Sequence, residues 1–199
     1  LYENQAPYRI GIWRVLAKSA PSEDERKLYI DKIIAVFKDP EAMDRIHAAE
    51  TLAKLGVPVS SLAKATTDKI LRGEKGSLWV YTLWASMQGQ EKTNNPMLAA
   101  LMSGIEEEIP RLQAAYALKM EGNIPEEKWN SIASMALAEP ENSIAKVHLL
   151  TAAYYGAGPE HQKSDAYKKI EDLIFALQQS DNKGDKMALA LTIAHKGDW

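Results

Sequence analysis

Four histidines, His47, His148, His161 and His195, come first, because imidazole binds metals and moves protons near neutral pH. His47 and Glu50 stand three residues apart, a spacing that offers two ligands on one helical face. A zinc centre needs three or four protein ligands. No third is evident, so a polar contact along the helix is expected there. The chain has no cysteine, which excludes a thiolate zinc site, a Cys nucleophile and a disulfide scaffold. His148 is expected to pack against neighbours, and His161, in the loop Gly158-Pro159-Glu160-His161, to be solvated. His195 falls near the end of the last helix, where an imidazolium would suit the dipole. No metal site and no cofactor are expected.

Carboxylates cluster at Glu106-Glu107-Glu108 and at Glu126-Glu127. Two acids held at a set separation can hydrolyse glycosides. Both clusters instead read as helix openings, where negative charge favours the N-terminal dipole. Pro125 strengthens that reading for the second cluster, since proline fits a first helical turn. No Gly-rich phosphate loop follows a strand, and no Ser-centred nucleophile elbow is present. With no catalytic constellation, the chain reads as a non-enzyme. A net charge of −3 over 199 residues argues against general nucleic-acid binding. No stretch approaches 18 consecutive apolar residues, so no membrane span is expected. The first residue is Leu1, which suggests a processed product or a piece of a longer protein. If a leader was removed, a periplasmic or secreted location is favoured over the cytoplasm.

The elements that would carry these residues are helices. Hydrophobic residues make up 46% and charged residues 26%, enough apolar content for a packed core. Ala and Leu abound while Val and Thr are few, which favours helix. One segment recurs. Arg45 to Gly56 and Arg111 to Gly122 share Arg, Ala-Ala, Leu and Gly at the same offsets. Leu78 to Gly89 lies midway, and Ala145 to Gly156 follows, so the closing glycines are 33, 33 and 34 residues apart. A degenerate copy covers Arg9 to Ala20 and a last one Lys186 to Gly197. Each closing glycine is expected at a helix end, with positive φ in most.

Between the copies, partner helices are expected over Glu23–Phe37, Val59–Leu71, Pro96–Ser103, Pro125–Leu137 and Lys163–Gln178. Turns are expected at Asp39-Pro40, Gly73, Gly76, Asn95-Pro96, Gly104, Glu139-Pro140, Gly158-Pro159 and Asn182-Lys183-Gly184. Ala48-Ala49 and Ala114-Ala115 would let neighbouring helices approach to about 8–10 Å. A pair of helices this short cannot bury its apolar face alone, whereas stacked pairs can. The expected fold is all-α: a right-handed α-solenoid of about five to six helical hairpins, one domain over residues 1–199.

The pattern Asp39-Pro40…Arg45…Ala48-Ala49…Leu52…Gly56 resembles a HEAT repeat, notably the bacterial HEAT-like type first noted in phycobilisome lyases. The resemblance covers most of the chain and is strongest over residues 39–156. It implies a link between the turn at Asp39 and Arg45 at the head of the second helix. Two departures stand out. Ala145 replaces that arginine after Glu139-Pro140, and Ile105 occupies the turn position before Arg111. HEAT folds host many roles, so the resemblance implies architecture more than activity.

Trp13, Trp79, Trp84 and Tyr81 fall on the second helices. Trp13 and Trp79 are expected to fill core. The offsets five and nine residues into each second helix carry the functional expectation. They hold Arg14 and Lys18, then Glu50 and Lys54, polar as a solvated face should be. From the third copy they turn apolar: Leu83 and Met87, Tyr116 and Met120, Leu150 and Tyr154, then Leu191 and His195. With Trp84 beside it, this stripe is expected to form an inner binding face of Leu83, Trp84, Met87, Tyr116, Met120, Leu150 and Tyr154. Tight packing between successive helices would bury it instead. The leading functional reading is a non-enzymatic scaffold for a protein partner or an adjacent domain. An alternative is an accessory domain of a secreted or periplasmic bacterial hydrolase, such as a sulfatase or glycosidase, where aromatic residues would permit carbohydrate contact. A third is a short α/α toroid enzyme.

Overall fold

A computed structural model describes residues 5–6, 8–73, 75–91, 95–107, 110–122 and 124–196, the side chains of 195 and 196 excepted. Among the described residues the regular structure is helical throughout. The helices are α1 (Arg9–Ser19), α2 (Glu23–Lys38), α3 (Arg45–Lys54), α4 (Lys64–Leu71) and α5 (Ser77–Met87). There follow α6 (Pro96–Ser103), α7 (Arg111–Glu121), α8 (Glu126–Ala138), α9 (Ile144–Tyr155), α10 (Asp165–Gln179) and α11 (Lys183–Lys196). None is long and apolar enough to cross a membrane among the described residues.

The boundaries follow local chemistry. Ser22 opens α2 by accepting the Glu25 N–H, and Ser164 opens α10 by accepting the Tyr167 N–H. Two expected helices change length. Residues 59–63 form turns instead of extending α4, with Leu62 and Ala63 N–H groups both donating to the Val59 carbonyl. The Ser60-Ser61 pair there favours turn over helix. In contrast, α11 begins earlier than the Asn182-Lys183-Gly184 turn suggested. The Asn182 side-chain oxygen accepts from Gly184 N–H and serves as its cap.

Closing glycines sit where helices stop. Gly56, Gly89 and Gly122 have φ of 69°, 72° and 68°, conformations an L side chain rarely adopts. Gly156 has φ −86° and needs glycine for another reason. A Cβ there would lie 2.7 Å from the Ala152 carbonyl oxygen and 2.7 Å from Ile124 Cδ1.

The chain forms two compact units. One comprises residues 1–91 with 95–98, the other residues 92–94 with 99–199. In the first, α1 packs on α2 and α3, α2 on α3, and α5 on both α3 and α4. Ala48, Ala49 and Leu52 of α3 are fully buried, as are Ile33 and Phe37 of α2. In the second, α9 is central and packs against α7, α8, α10 and α11. The α8 helix also contacts α10, and α11 reaches both α10 and α7. Ala114 and Ala115 on α7 and Ala152 and Ala153 on α9 are fully buried, the small surfaces that close helix approach requires.

A basic side chain near the head of three helices ties back to the end of the preceding element. Arg45 Nε donates to the Phe37 carbonyl at 2.7 Å. The link thus runs through backbone at the end of α2, while the Asp39 carboxylate accepts the Glu41 N–H within the turn. Arg111 Nε donates to the Ile105 carbonyl at 2.6 Å, so the departure at Ile105 leaves the link intact. In the first turn of α9, Lys146 Nζ donates to the Glu139 carbonyl at 2.7 Å, taking over from the arginine that Ala145 replaces. A helix leaves its last carbonyls unpaired and carries partial negative charge there, so a cation held against them satisfies both.

Candidate interaction site

The expected stripe divides by burial. Leu83, Trp84 and Met87 of α5 are 3%, 2% and 0% exposed, and Leu150 of α9 is 1% exposed. These four are core rather than a presented face, a correction to the sequence reading. The physical reason is that α5 and α9 are wrapped by neighbours: almost every residue of α5 from Trp79 onward is buried, polar ones included. Tyr116 and Met120 of α7 and Tyr154 of α9 remain half-exposed, all within the second unit.

Around them lies an aromatic cluster with a buried cation. Tyr116 meets His148 edge to face, ring centroids 5.4 Å apart. Lys119 Nζ stands 4.9 Å from the Tyr116 ring centroid, although Lys119 is only 3% exposed. Burial, and then the Lys119 charge, lowers the His148 imidazole to a pKa of about 4, so it is neutral at pH 7. Its Nδ1 is buried and has no hydrogen-bond partner, as does the Gln113 Oε1 one turn before Tyr116. Further along α9, Tyr154 meets Tyr155 edge to face at 5.2 Å and stacks on Tyr167 of α10 at 5.3 Å. Burial and a hydrogen bond with Tyr154 push the Tyr167 hydroxyl well above the usual phenol range. The arrangement offers aromatic faces and polar tips at half-buried positions.

Other residues fall as follows. His47 lies 3.6 Å from Glu50, which also pairs with Lys54 at 2.6 Å, the polar contact along the helix that the spacing suggests. His161 is not simply solvated: it stacks on the fully buried Trp129 at 4.4 Å, and its Nε2 lies 3.2 Å from the Glu126 carbonyl. The His195 side chain and Glu108 lie outside the described residues. Glu106 ends a 3-10 turn over Gly104–Glu106, and Glu107 lies in the link before α7, so that cluster precedes the helix instead of opening it. Glu126 and Glu127 occupy the first turn of α8. Trp13 and Trp79 are 5% and 6% exposed and fill core. No group of three or more candidate metal-ligating side chains occurs among the described residues.

Sequence reasoning missed two clefts at matching places in the helix order. In the first unit, a cleft of about 360 Å³ is lined by Arg9, Trp13, Lys32, Ala35, Val36 and Asp39. Arg9 donates two 2.7 Å hydrogen bonds to Asp44, which is 3% exposed, and these bonds hold the Asp44 carboxyl below its usual range. Lys32 Nζ lies 5.5 Å from the Trp13 ring centroid. In the second unit, a cleft of about 390 Å³ adjoins Arg111, Glu139, Pro140, Ser143 and Ile144. There Arg111 stands 3.9 Å from Glu139. The available signal was the pair of arginines opening α1 and α7. Their acidic partners lie 35 and 28 residues on, a separation that periodicity does not reveal. Comparison with protein-family models, with curated proteins and with solved structures finds no match.

Proposed function

We propose that the chain is a HEAT-like right-handed α-solenoid acting as a non-enzymatic scaffold, with α7 and α9 contacting a protein partner or adjacent domain. The observation that carries the reading is the half-exposure of Tyr116, Met120 and Tyr154 on two helices that pack together. Tyrosine supplies large rigid contact area with a polar tip, and methionine adapts to the surface it meets. Support for the repeat architecture is twofold. Helices of the second unit pack in the order α7, α9, α11 with α8 and α10 alongside, and the same basic tie recurs at α3, α7 and α9. The test places a photo-crosslinking amino acid at position 120 and, as control, at exposed Ser131 of α8. Irradiation in native extract should give a discrete adduct from position 120 that Tyr116→Ala and Tyr154→Ala each diminish. Equal labelling from both positions, or an adduct indifferent to both tyrosines, overturns the reading.

A further inference from the structure

The turns Asp39-Pro40-Glu41 and Glu139-Pro140-Glu141 stand 100 residues apart in the chain. Each follows an arginine that opens a helix of its own unit, Arg9 on α1 and Arg111 on α7. In the first unit that arginine is closed off. Arg9 donates twice to the Asp44 carboxylate, at 2.7 Å each, and Asp44 is 3% exposed. Carried on from the second turn without a gap, the position of Asp44 falls on Ile144, which is 72% exposed.

Arg111 therefore has no carboxylate of that kind, and it borders the cleft of about 390 Å³ in the second unit. Its Nε donates to the Ile105 carbonyl at 2.6 Å and its Nη2 to the Glu106 carbonyl at 3.4 Å. Beside it the Glu139 side chain is 7% exposed, and its Oε1 accepts from the Ser143 hydroxyl. Those bonds hold both groups and leave Arg111 Nη1 and Glu139 Oε2 3.9 Å apart, beyond hydrogen-bond length. Among the described residues neither atom has a hydrogen bond within the chain. A charged donor and a charged acceptor thus stand side by side in the cleft, with Leu112, Pro140 and Ile144 as its apolar lining.

We propose that this cleft binds a primary carboxamide with an apolar body, its oxygen accepting from Arg111 Nη1 and its N–H donating to Glu139 Oε2. The oxygen and nitrogen of an amide lie about 2.3 Å apart, so two bonds of about 2.9 Å reach a donor and an acceptor 3.9 Å apart. A carboxylate has no proton for Glu139 and meets its charge, and an ammonium fails at Arg111 for the converse reason. A single hydroxyl oxygen would make both bonds at an angle of about 90°, which bends them. A trans secondary amide points its C=O and N–H in opposite directions and makes only one of the two. A primary amide keeps one N–H on the side of its oxygen and makes both. The ligand is neutral where the charges of Arg111 and Glu139 balance, and its apolar body lies against Ile144 and Leu112. The cleft uses none of Tyr116, Met120 and Tyr154, so binding there is independent of the tyrosine face.

Pentanamide, titrated into the full 199-residue chain and followed by backbone amide NMR shifts, reads the binding directly. The Asn142, Ser143 and Ile144 signals should move saturably, with a Kd of about 5–50 mM, as suits a ligand of so few atoms. At equal concentration pentanoate, N-methylpentanamide and 1-pentanol should move them by about one fifth as much or less. Acetylglutamine N-methylamide separates the two sources of the group. Tighter binding than pentanamide assigns the cleft to a glutamine side chain in a peptide, and weaker binding assigns it to a small-molecule amide. Ile144→Asp supplies Arg111 with the carboxylate that Asp44 gives Arg9, at an exposed position. It should abolish the pentanamide shifts at Asn142 and Ser143 with helix content and Tm unchanged, whereas Ile144→Ala should weaken binding by less than about threefold. No saturable shift with pentanamide overturns the proposal. So does an equal response to any of the three analogues, or binding that Ile144→Asp leaves intact.

Discussion

The buried His148 makes a quantitative demand on how stability varies with pH. In the folded chain its pKa is about 4, against 6.5 for an ordinary histidine, because burial and the Lys119 charge both oppose protonation. Between those values the unfolded chain binds a proton that the folded chain refuses, so stability must fall as pH falls. The contribution is complete above about pH 6.5 and is lost on the way down to about pH 4. Lowering the pKa from 6.5 to about 4 corresponds to about 3 kcal/mol, of which about 2 kcal/mol is gone by pH 5. His148→Phe keeps an aromatic ring against Tyr116 and cannot titrate. Urea unfolding of both proteins at pH 7, 6, 5 and 4.5 isolates the effect, because carboxylates shared by the two cancel in the difference. The wild type should lose about 2 kcal/mol more than the variant between pH 7 and pH 5. Parallel pH profiles for the two proteins would refute the reasoning and mean that His148 is hydrated or protonated in the folded state.

Two substitutions test the devices that shape the helix ends. Arg45→Ala removes the charge-assisted bond to the Phe37 carbonyl and should cost about 1–3 kcal/mol in chemical denaturation, with Arg45→Lys recovering part of the loss. Gly156→Ala adds a Cβ at 2.7 Å from both a backbone oxygen and Ile124, and should lower stability by about 1–3 kcal/mol. Pairing it with Ile124→Val should recover some of that loss, because the side-chain clash is relieved while the backbone clash remains.

Much of the helical layout was legible in the residues themselves. The α6 helix has the bounds its sequence indicates, and α2, α8 and α9 lie within one residue or so of theirs. For Arg45 the repeat resemblance implied a link to the turn at Asp39, and the fold places its partner two residues earlier, at the Phe37 carbonyl in the last turn of α2. At α9 the same link was not legible as such: Ala145 stands in the arginine's place, and only the fold shows Lys146 reaching the Glu139 carbonyl from one position later. The stripe was visible as a change from polar to apolar offsets, yet its role was not, since an apolar offset reads the same whether a neighbour covers it or leaves it open.

The division has a physical cause. Helix formation depends on hydrogen bonds four residues apart, on capping side chains within one turn, and on glycines that admit positive φ, so a window of a dozen residues determines it. Burial depends on what packs from a distance. Leu150 and Leu191 share one repeat offset and one residue type, but α9 has neighbours on four sides and α11 leaves a flank open, giving 1% exposure for one and 60% for the other. Arg9 finds Asp44 across 35 residues, and His161 finds the Trp129 ring across 32, because packing brings together helices that the chain holds apart. Those neighbours decide whether an apolar residue is core or contact surface and whether an imidazole is solvated or held neutral.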